Sequence, residues 1–179
     1  MAYLTTAPIP WDRVAALQRW VSHGPPAPAS GRQAGGCGAV VTFIGVVRAD
    51  QDGRHVVQAL FYEAYPEMAE ALIHRLVNEA KVQWTLDGVQ IQHRLGLVEV
   101  GQISVVVVVA AQHRAQAYAA SQFLIDRIKR DAPIWKRGLY DDGTSQRIVD
   151  APEPLDVAPA CHEVCGAGRD RSGADHAHV

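Results

Sequence analysis

Apolar residues recur at helical spacing in three segments of the chain. The first segment runs from Trp11 to Val21 and follows Pro10. The second begins at Pro66 and carries apolar residues at i, i+3, i+4 and i+7 between Ala69 and Ala80, and the third runs from Ala115 to Arg130. Such a stripe is typical of a helix that buries one face against a core. The pattern therefore predicts three amphipathic helices.

Four other segments have the composition or the alternation of β-strands. β-Branched and aromatic residues dominate Ala39 to Val47 and Val56 to Glu63. Apolar and polar residues alternate from Val89 to Leu95, which predicts a strand with one buried face and one solvent face. The unbroken apolar run from Ile103 to Ala111 predicts a strand that is buried on both faces. Gly45 lies inside the first strand, which predicts a bulge or a close approach by another group.

The order of these elements predicts the fold class. Asp52-Gly53 marks a turn between the first two strands, so we expect these strands to pair as a hairpin with a loop longer than two residues. One helix precedes them and another follows, and then come two strands, the third helix and short strands beyond Pro133. This order is not the strict alternation of a doubly wound fold. We therefore predict an α+β fold with a mainly antiparallel sheet and flanking helices.

Length and composition indicate one domain with flexible additions. The chain has 179 residues, of which 48% are hydrophobic, and this is enough for a single core. We predict a domain over 1–150 that contains a Pro- and Gly-rich flexible loop at 24–36. The tail at 151–179 has several prolines and no periodic apolar pattern, so we predict that it is mostly disordered and dispensable for folding beyond about residue 155.

Charge and cysteine usage limit the function classes and the compartment. The formal net charge is −2 at pH 7, so no whole-chain basic field favours nucleic acid. No apolar run approaches the roughly 18 residues of a membrane helix, and the N-terminus lacks the pattern of a signal peptide. Three cysteines in a chain of this length do not indicate a disulfide framework. We expect a soluble protein of the reducing cytoplasm that binds neither nucleic acid nor membrane.

Basic residues cluster in the sequence around the third helix. His113-Arg114 lies where the buried strand gives way to the helix, Lys129 lies in the last helical turn, and Lys136 follows Pro133. Each also has a plain structural alternative, in which Lys129 only complements the helix dipole, Lys136 is a solvated surface residue and His113 is a structural histidine. Taken together, they predict a cationic pocket for a phosphate and a carboxylate. We expect Pro133 to stiffen the path between the lysines and Trp135 to anchor it in the core.

Five short motifs follow one another between about residues 37 and 137. They are the strand Gly38–Arg48, the strand-to-helix passage Leu60–Ala69, the strand and turn His93-Arg94-Leu95-Gly96 with Val98–Gly101, the helix start His113-Arg114 with Ala117-Tyr118, and the lysine motif Lys129-x-x-x-Pro133-Ile134-Trp135-Lys136. In this order and spacing they resemble the MoaE family, the large, catalytic subunits of molybdopterin synthase.

The resemblance implies an α/β hammerhead-type fold and a homodimer at the core of a heterotetramer. Each protomer is expected to bind a small ubiquitin-like sulfur-carrier subunit, whose C-terminal Gly-Gly thiocarboxylate enters the pocket. The implied reaction moves sulfur to cyclic pyranopterin monophosphate in two rounds and makes the dithiolene of molybdopterin, within molybdenum cofactor biosynthesis. The resemblance thus implies a sulfurtransferase, with no bound cofactor.

The resemblance also implies roles for individual residues. Lys129 and Lys136 match the lysines of the motif and are the expected catalytic pair. The expected contacts to the substrate are Arg48, Phe43, His113 and Arg114. A lysine beside a thiocarboxylate can stabilise a tetrahedral oxyanion, and a lysine can also deliver a proton to the leaving oxygen on the pterin side chain. Covalent capture of the acyl group by a lysine stays open as an alternative.

The chain departs from the family pattern at two places after the lysine motif. Family members commonly follow the second lysine with a basic residue and a glutamate, whereas here Arg137 is followed by Gly138. They also tend to carry a tryptophan in a Gly-x-x-Trp context, and Gly143-Thr144-Ser145-Gln146 has none. These departures leave a non-catalytic homologue that only binds the carrier as an alternative. A generic phosphate-binding transferase is a further one, distinguished by whether a thiocarboxylated carrier is needed.

The cysteines are not predicted to carry chemistry. The spacing of Cys161 and Cys165, with His176 and His178, could suggest zinc. A tail without a fold does not preorganise four tetrahedral ligands, so no metal site is predicted. Cys37 has no evident neighbouring base and is expected to be a small buried hydrophobe.

Overall fold

The computed structural model describes residues 2–23, 37–52 and 55–148. Within these residues the chain forms the helices α1 (Trp11–His23), α2 (Pro66–Gln83) and α3 (Arg114–Asp131). The strands are β1 (Leu4–Thr5), β2 (Ala39–Val46), β3 (Gln51–Asp52), β4 (His55–Ala64), β5 (Leu86–Arg94), β6 (Gly96–Glu99), β7 (Ile103–Ala111), β8 (Ile134–Tyr140) and β9 (Ser145–Ile148). The predicted loop at 24–36 and the predicted tail at 151–179 lie outside the described residues, and the domain boundaries stay a prediction.

The three predicted helices are confirmed, and for α2 the local sequence explains where the helix begins. α2 starts at Pro66, where the missing N–H is harmless because the first turn has no acceptor for it. Glu67 in its first turn and Lys81 in its last turn complement the helix dipole. The apolar stripe of α2 is buried as predicted, through Ala69, Ile73, Leu76, Val77 and Ala80.

A four-stranded sheet carries the core on both of its faces. Its strand order is β1-β5-β7-β2, with β1 parallel to β5 and the other pairs antiparallel. All nine residues of β7 are buried, which confirms the predicted burial on both faces. Val107 lies in the cluster formed with α2 and α3 on one face, and Val106 lies in the cluster formed with Val14 and Leu17 of α1 on the other.

A second sheet of five strands is built around β4. β3 and β6 pair with one edge of β4, whereas β8 pairs with the other edge and β9 follows β8. All of these pairs are antiparallel, so the mainly antiparallel α+β prediction is confirmed across two sheets. The short β9 is present although the family's downstream tryptophan is absent.

The predicted hairpin between strands 39–47 and 56–63 is wrong. β2 pairs with β7 along its length, from Ala39 opposite Ala111 to Val46 opposite Ile103, and β4 belongs to the second sheet. The reason is that β2 is apolar on both faces. Phe43 packs against the α2–α3 cluster and Ile44 against the α1 cluster. Because these clusters lie on opposite faces of the first sheet, β2 makes both contacts only as a strand of that sheet, beside β7. The hairpin that does form joins β3 to β4.

Gly45 produces the predicted bulge at the end of β2. The pairing register with β7 shifts between Gly45 and Val46. A Cβ on Gly45 would lie only 2.6 Å from Cγ1 of Val105, so the Val105 side chain occupies the space that a larger residue would need. The bulge lies where the chain leaves the first sheet.

The prediction that β5 is half-buried is also wrong. Gln90, expected on the solvent face, is only 6% exposed. α1 packs across that face, and Arg13 Nε donates a hydrogen bond to Gln92 Oε1 at 3.2 Å. The alternating sequence correctly places polar side chains on this face of β5. The face is covered by helix α1, however, and is not the solvent face that was expected. No helix in the described part of the chain is long and apolar enough to span a membrane.

Candidate functional site

Lys129 is carried back to the start of β7 by helix α3. β7 leads directly into α3, and α3 packs on β7 and β2 as it returns. Lys129 follows Arg114 by 15 positions, which at 1.5 Å per residue is about 22 Å along the helix. The exposed Lys129 side chain therefore lies at the sheet end where β7 begins and β2 ends.

Lys136 reaches the same end of the fold through the second sheet. It is half-buried on β8 and pairs directly with Tyr62 of β4, so the two side chains share one face of this sheet. The ring of Tyr62 meets the imidazole of His93 edge to face, with centroids 5.1 Å apart. His93 pairs with Val105 near the start of β7. The pairing of Lys136 with Tyr62 and the ring contact of Tyr62 with His93 thus lead to the start of β7, the sheet end towards which α3 runs.

His93 is a buried, neutral imidazole in this region. Burial lowers its pKa from 6.5 to about 4, and a hydrogen bond to the backbone of Arg94 opposes this shift. Nδ1 lies 2.9 Å from the carbonyl oxygen of Arg94. Because a carbonyl only accepts, Nδ1 carries the proton and Nε2 is the unprotonated nitrogen. His93 and Tyr62 both lie within the sequence motifs, but the motifs alone predict a role for neither residue.

Arg48 and Phe43 lie at the same end of β2. Arg48 follows the buried Val47, and its side chain is 81% exposed with a 3.1 Å ion pair to Asp50. Phe43 is half-buried on the α3 side of β2, and its Cε1 atom lies 3.5 Å from the position of a Cβ on Gly45. The ring of Phe43 therefore lies close to Gly45, towards the end of β2 from which Arg48 projects.

His113 and Arg114 lie at the opposite end of the fold, which corrects the predicted single cluster. His113 is the N-cap of α3 and Arg114 its first residue, so the length of the helix separates both from Lys129. β2 separates them from Arg48 as well, because Gly38 N donates to Ala111 O at the far end of that strand. Eight residues of strand span about 26 Å. One chain therefore forms two cationic groups.

Gly138 occupies the position where the family pattern has a glutamate. A Cβ there would lie 3.1 Å from Cζ of Tyr140 and 3.0 Å from Cδ1 of Ile148. Side chains at 136, 138 and 140 share one face of β8 because strand residues alternate. The aromatic ring of Tyr140 and the side chain of Ile148 thus fill the space next to Lys136 that a carboxylate would need.

Trp135 does not anchor the lysine segment in the core, contrary to the prediction. Alternation places it on the face of β8 opposite to Lys136. Its ring contacts Tyr65 edge to face at 5.2 Å, and the guanidinium of Arg147 lies 6.0 Å from its centroid. These side chains, with Glu63 and Arg137, line a shallow cavity of about 480 Å³.

Cys37 is half-buried rather than fully buried as predicted. Its thiol donates a weak hydrogen bond to the carbonyl oxygen of Ser22 at 3.6 Å, and its side chain packs against the α1 cluster. Cys161, Cys165, His176 and His178 lie outside the described residues.

Comparisons with known proteins show which family the chain resembles. A family model described as MoaE protein matches residues 13–131. The chain is 47% identical over 106 residues to the molybdopterin synthase catalytic subunit of Thermoplasma volcanium, covering 59% of this chain and 77% of that protein. It is 45% identical over 116 residues to the molybdopterin synthase catalytic subunit of Brucella melitensis, covering 65% and 69% of the two chains.

Solved structures give the same result. The crystal structure of molybdopterin synthase from Staphylococcus aureus superimposes with a TM-score of 0.69 at 29% identity, covering 83% of this chain and 97% of that chain. A complex of subunits 1 and 2 of the molybdopterin-converting factor from Helicobacter pylori gives 0.52 at 28% identity, covering 63% and 71%.

The family match and the shared α+β fold show that the chain belongs to the MoaE family. Its function is that of a molybdopterin synthase catalytic subunit, and it is therefore an enzyme subunit in molybdenum cofactor biosynthesis.

Proposed function

We propose that this chain moves sulfur from the C-terminal thiocarboxylate of a small ubiquitin-like carrier subunit to cyclic pyranopterin monophosphate, forming the dithiolene of molybdopterin. The observation that carries the proposal is that α3 and β8 lead Lys129 and Lys136 towards the start of β7. The lysines approach on different elements, a helix end and a sheet face. Pro133 lies between them, and its carbonyl accepts a hydrogen bond from Tyr65 N at 3.2 Å. This bond ties the connecting segment to the second sheet.

The lysines supply the electrostatics that the reaction needs. After the sulfur has bonded to the pterin side chain, water attacks the acyl carbon of the carrier, the acyl C–S bond breaks and the carrier leaves as a carboxylate. A lysine ammonium stabilises the charge on the oxygen of the tetrahedral intermediate in this step. The second lysine delivers a proton to the oxygen that leaves the pterin side chain. Arg48 binds the anionic group of the substrate, and Phe43 provides an apolar wall on the α3 side of β2. No metal is assigned to this site.

The separation of the two cationic groups supports a homodimer. His113 and Arg114 do not reach Lys129 within one chain, but a second copy related by a two-fold axis could place its own α3 start beside that lysine. The partner subunit's His113 and the partner subunit's Arg114 then complete the substrate pocket. Two such sites, each with one bound carrier, make the proposed heterotetramer.

A small protein is the proposed binding partner. The related Helicobacter pylori structure is a complex of two subunits of the molybdopterin-converting factor. A carrier tail ending in Gly-Gly has no bulky side chain near its terminus, and its terminal carboxylate or thiocarboxylate is attracted by lysines. We place the reaction in the reducing cytoplasm, where a thiol-based sulfur donor persists.

Reconstitution tests the reaction. The purified chain is combined with a thiocarboxylated carrier and cyclic pyranopterin monophosphate, and the dithiolene product is measured. We expect product only when all three are present. Product formed from a carrier with an ordinary carboxylate, or none with the thiocarboxylate, contradicts the proposal.

Mixed dimers test whether two copies share a site. One protomer carries Lys129→Ala, the other carries His113→Ala with Arg114→Ala, and two affinity tags isolate the mixed dimer. If the site is shared, one of the two sites is intact and the mixed dimer keeps about half of wild-type turnover, whereas both parent homodimers are inactive. An inactive mixed dimer would show that each chain builds its site alone.

A further inference from the structure

The backbone immediately before Arg48 is held by the turn between β6 and β7. Val47 N donates to Gln102 O at 3.1 Å, and Gly101 N donates to Val47 O at 2.9 Å. The side chain of Val47 is only 3% exposed. Arg48 is the next residue, so the position of this turn determines the point from which its side chain projects.

The turn depends on the side chain of Gln102. Gly101 has a φ of +84°, and Gln102 N donates to Glu99 O at 3.0 Å, which closes the turn. Gln102 Oε1 accepts from Glu99 N at 3.3 Å, and Gln102 Nε2 donates to Glu99 Oε2 at 2.9 Å. The amide group therefore bridges both ends of the turn.

Arg94 connects this turn to the first sheet. Its Nη1 donates to Gln102 Oε1 at 2.7 Å, a short charge-assisted bond from the end of β5. Its Nε is buried and has no hydrogen-bond partner among the described residues. Burying a guanidinium with an unsatisfied N–H is unfavourable compared with an apolar side chain. Stability alone therefore does not explain an arginine at position 94.

We propose that Arg94 is a positioning residue for substrate binding. It orients Gln102, Gln102 holds the β6–β7 turn, and the turn holds Val47 and hence Arg48. This inference rests on the proposed role of Arg48 in binding the anionic substrate. Arg94 touches neither substrate nor carrier in this scheme, and it acts only through the position of Arg48.

Steady-state kinetics of the reconstituted synthase tests the proposal. We expect Arg94→Met to raise the KM for cyclic pyranopterin monophosphate about tenfold, the equivalent of one charge-assisted hydrogen bond, while kcat stays within about twofold. Arg94→Lys keeps a donor that can reach Gln102 and should recover part of the affinity. Gln102→Ala should raise KM similarly with Arg94 in place, which covers the case in which Arg94→Met does not fold.

A double variant and a matched control make the test specific. In the Arg48→Ala background, Arg94→Met should cause no further rise in KM, because the residue that it positions is absent. The control is Gln92→Ala, which removes the 3.2 Å bond between Arg13 and Gln92 on the same strand and should leave KM unchanged. An unchanged KM in Arg94→Met and Gln102→Ala, or a further rise in the double variant, would overturn the inference while leaving the proposed function intact. An unchanged KM in Arg48→Ala would overturn both the inference and the proposed role of Arg48 in binding the substrate.

Discussion

The imidazole of His93 meets the ring of Tyr62 edge to face, with their planes at 75° and their centroids 5.1 Å apart. His93 belongs to the four-stranded sheet, whereas Tyr62 lies beside Lys136 in the other sheet. The contact therefore joins the two sheets next to a proposed catalytic residue. An imidazolium at this position would be desolvated, so the junction favours the neutral ring.

The burial of His93 predicts a loss of stability in acid. The pKa of His93 falls from 6.5 when unfolded to about 4 when folded, so between these pH values the unfolded chain binds the extra proton. Stability from this residue is therefore complete above pH 6.5 and decreases as the pH falls towards 4, by on the order of 3 kcal/mol. Urea unfolding at fixed protein concentration measures this decrease.

A variant isolates the contribution of His93. His93→Gln should be less stable at neutral pH but should lose this part of the pH dependence. His74→Gln, which changes an exposed histidine on α2, should keep it. Equal pH dependence in wild type and His93→Gln would contradict the assignment.

Lys129→Ala should lower turnover by about 10²–10³-fold, because one charge-stabilising group is lost from the reacting centre. Carrier binding and the melting temperature should change little, because the side chain is exposed. The measurement is dithiolene formation in the reconstituted synthase. Arg130→Ala, one position further along the same helix end, is the control and should stay close to wild type. Turnover within twofold of wild type in Lys129→Ala would remove this lysine from the site.

Lys136→Ala should also be severely impaired, and alternation along β8 supplies the control. Arg137 lies on the opposite face, where it pairs with Glu63 at 3.1 Å and lies over the ring of Phe61. We expect Arg137→Ala to keep turnover within a few-fold of wild type, because exposed ion pairs contribute little. Similar losses in both variants would show that the face of the strand does not decide the role of Lys136.

Gly138→Ala should destabilise the protein, although alanine is normally preferred to glycine within a strand. The new methyl group would meet Tyr140 and Ile148 at about 3 Å, and overpacking of this kind costs about 1–3 kcal/mol. Ile148→Val removes the nearest atom, so the double variant should recover part of the loss in free energy of unfolding. Gly138→Ala with wild-type stability would contradict the crowding at this position.

Local pattern in the sequence determined the parts of this fold that depend on neighbours along the chain. The three helices follow from apolar spacing, the burial of β7 from its unbroken valines, and the bulge at Gly45 from a glycine inside a strand. Five motifs in order were sufficient for the family resemblance, which the comparisons confirm. Each of these features is contained in a short segment, so it can be predicted without knowing what the segment contacts.

Tertiary structure alone decided which distant segments meet. β2 pairs with β7 and not with β4, and α1 covers Gln90, because burial is gained from partners far away in the sequence. The same holds for the site. The sequence motifs predicted a single pocket that contains both His113 and Lys129, but the helix between them is about 22 Å long and holds them apart within a single chain. Packing in three dimensions determines which residues share a pocket, and periodicity along the chain does not predict it.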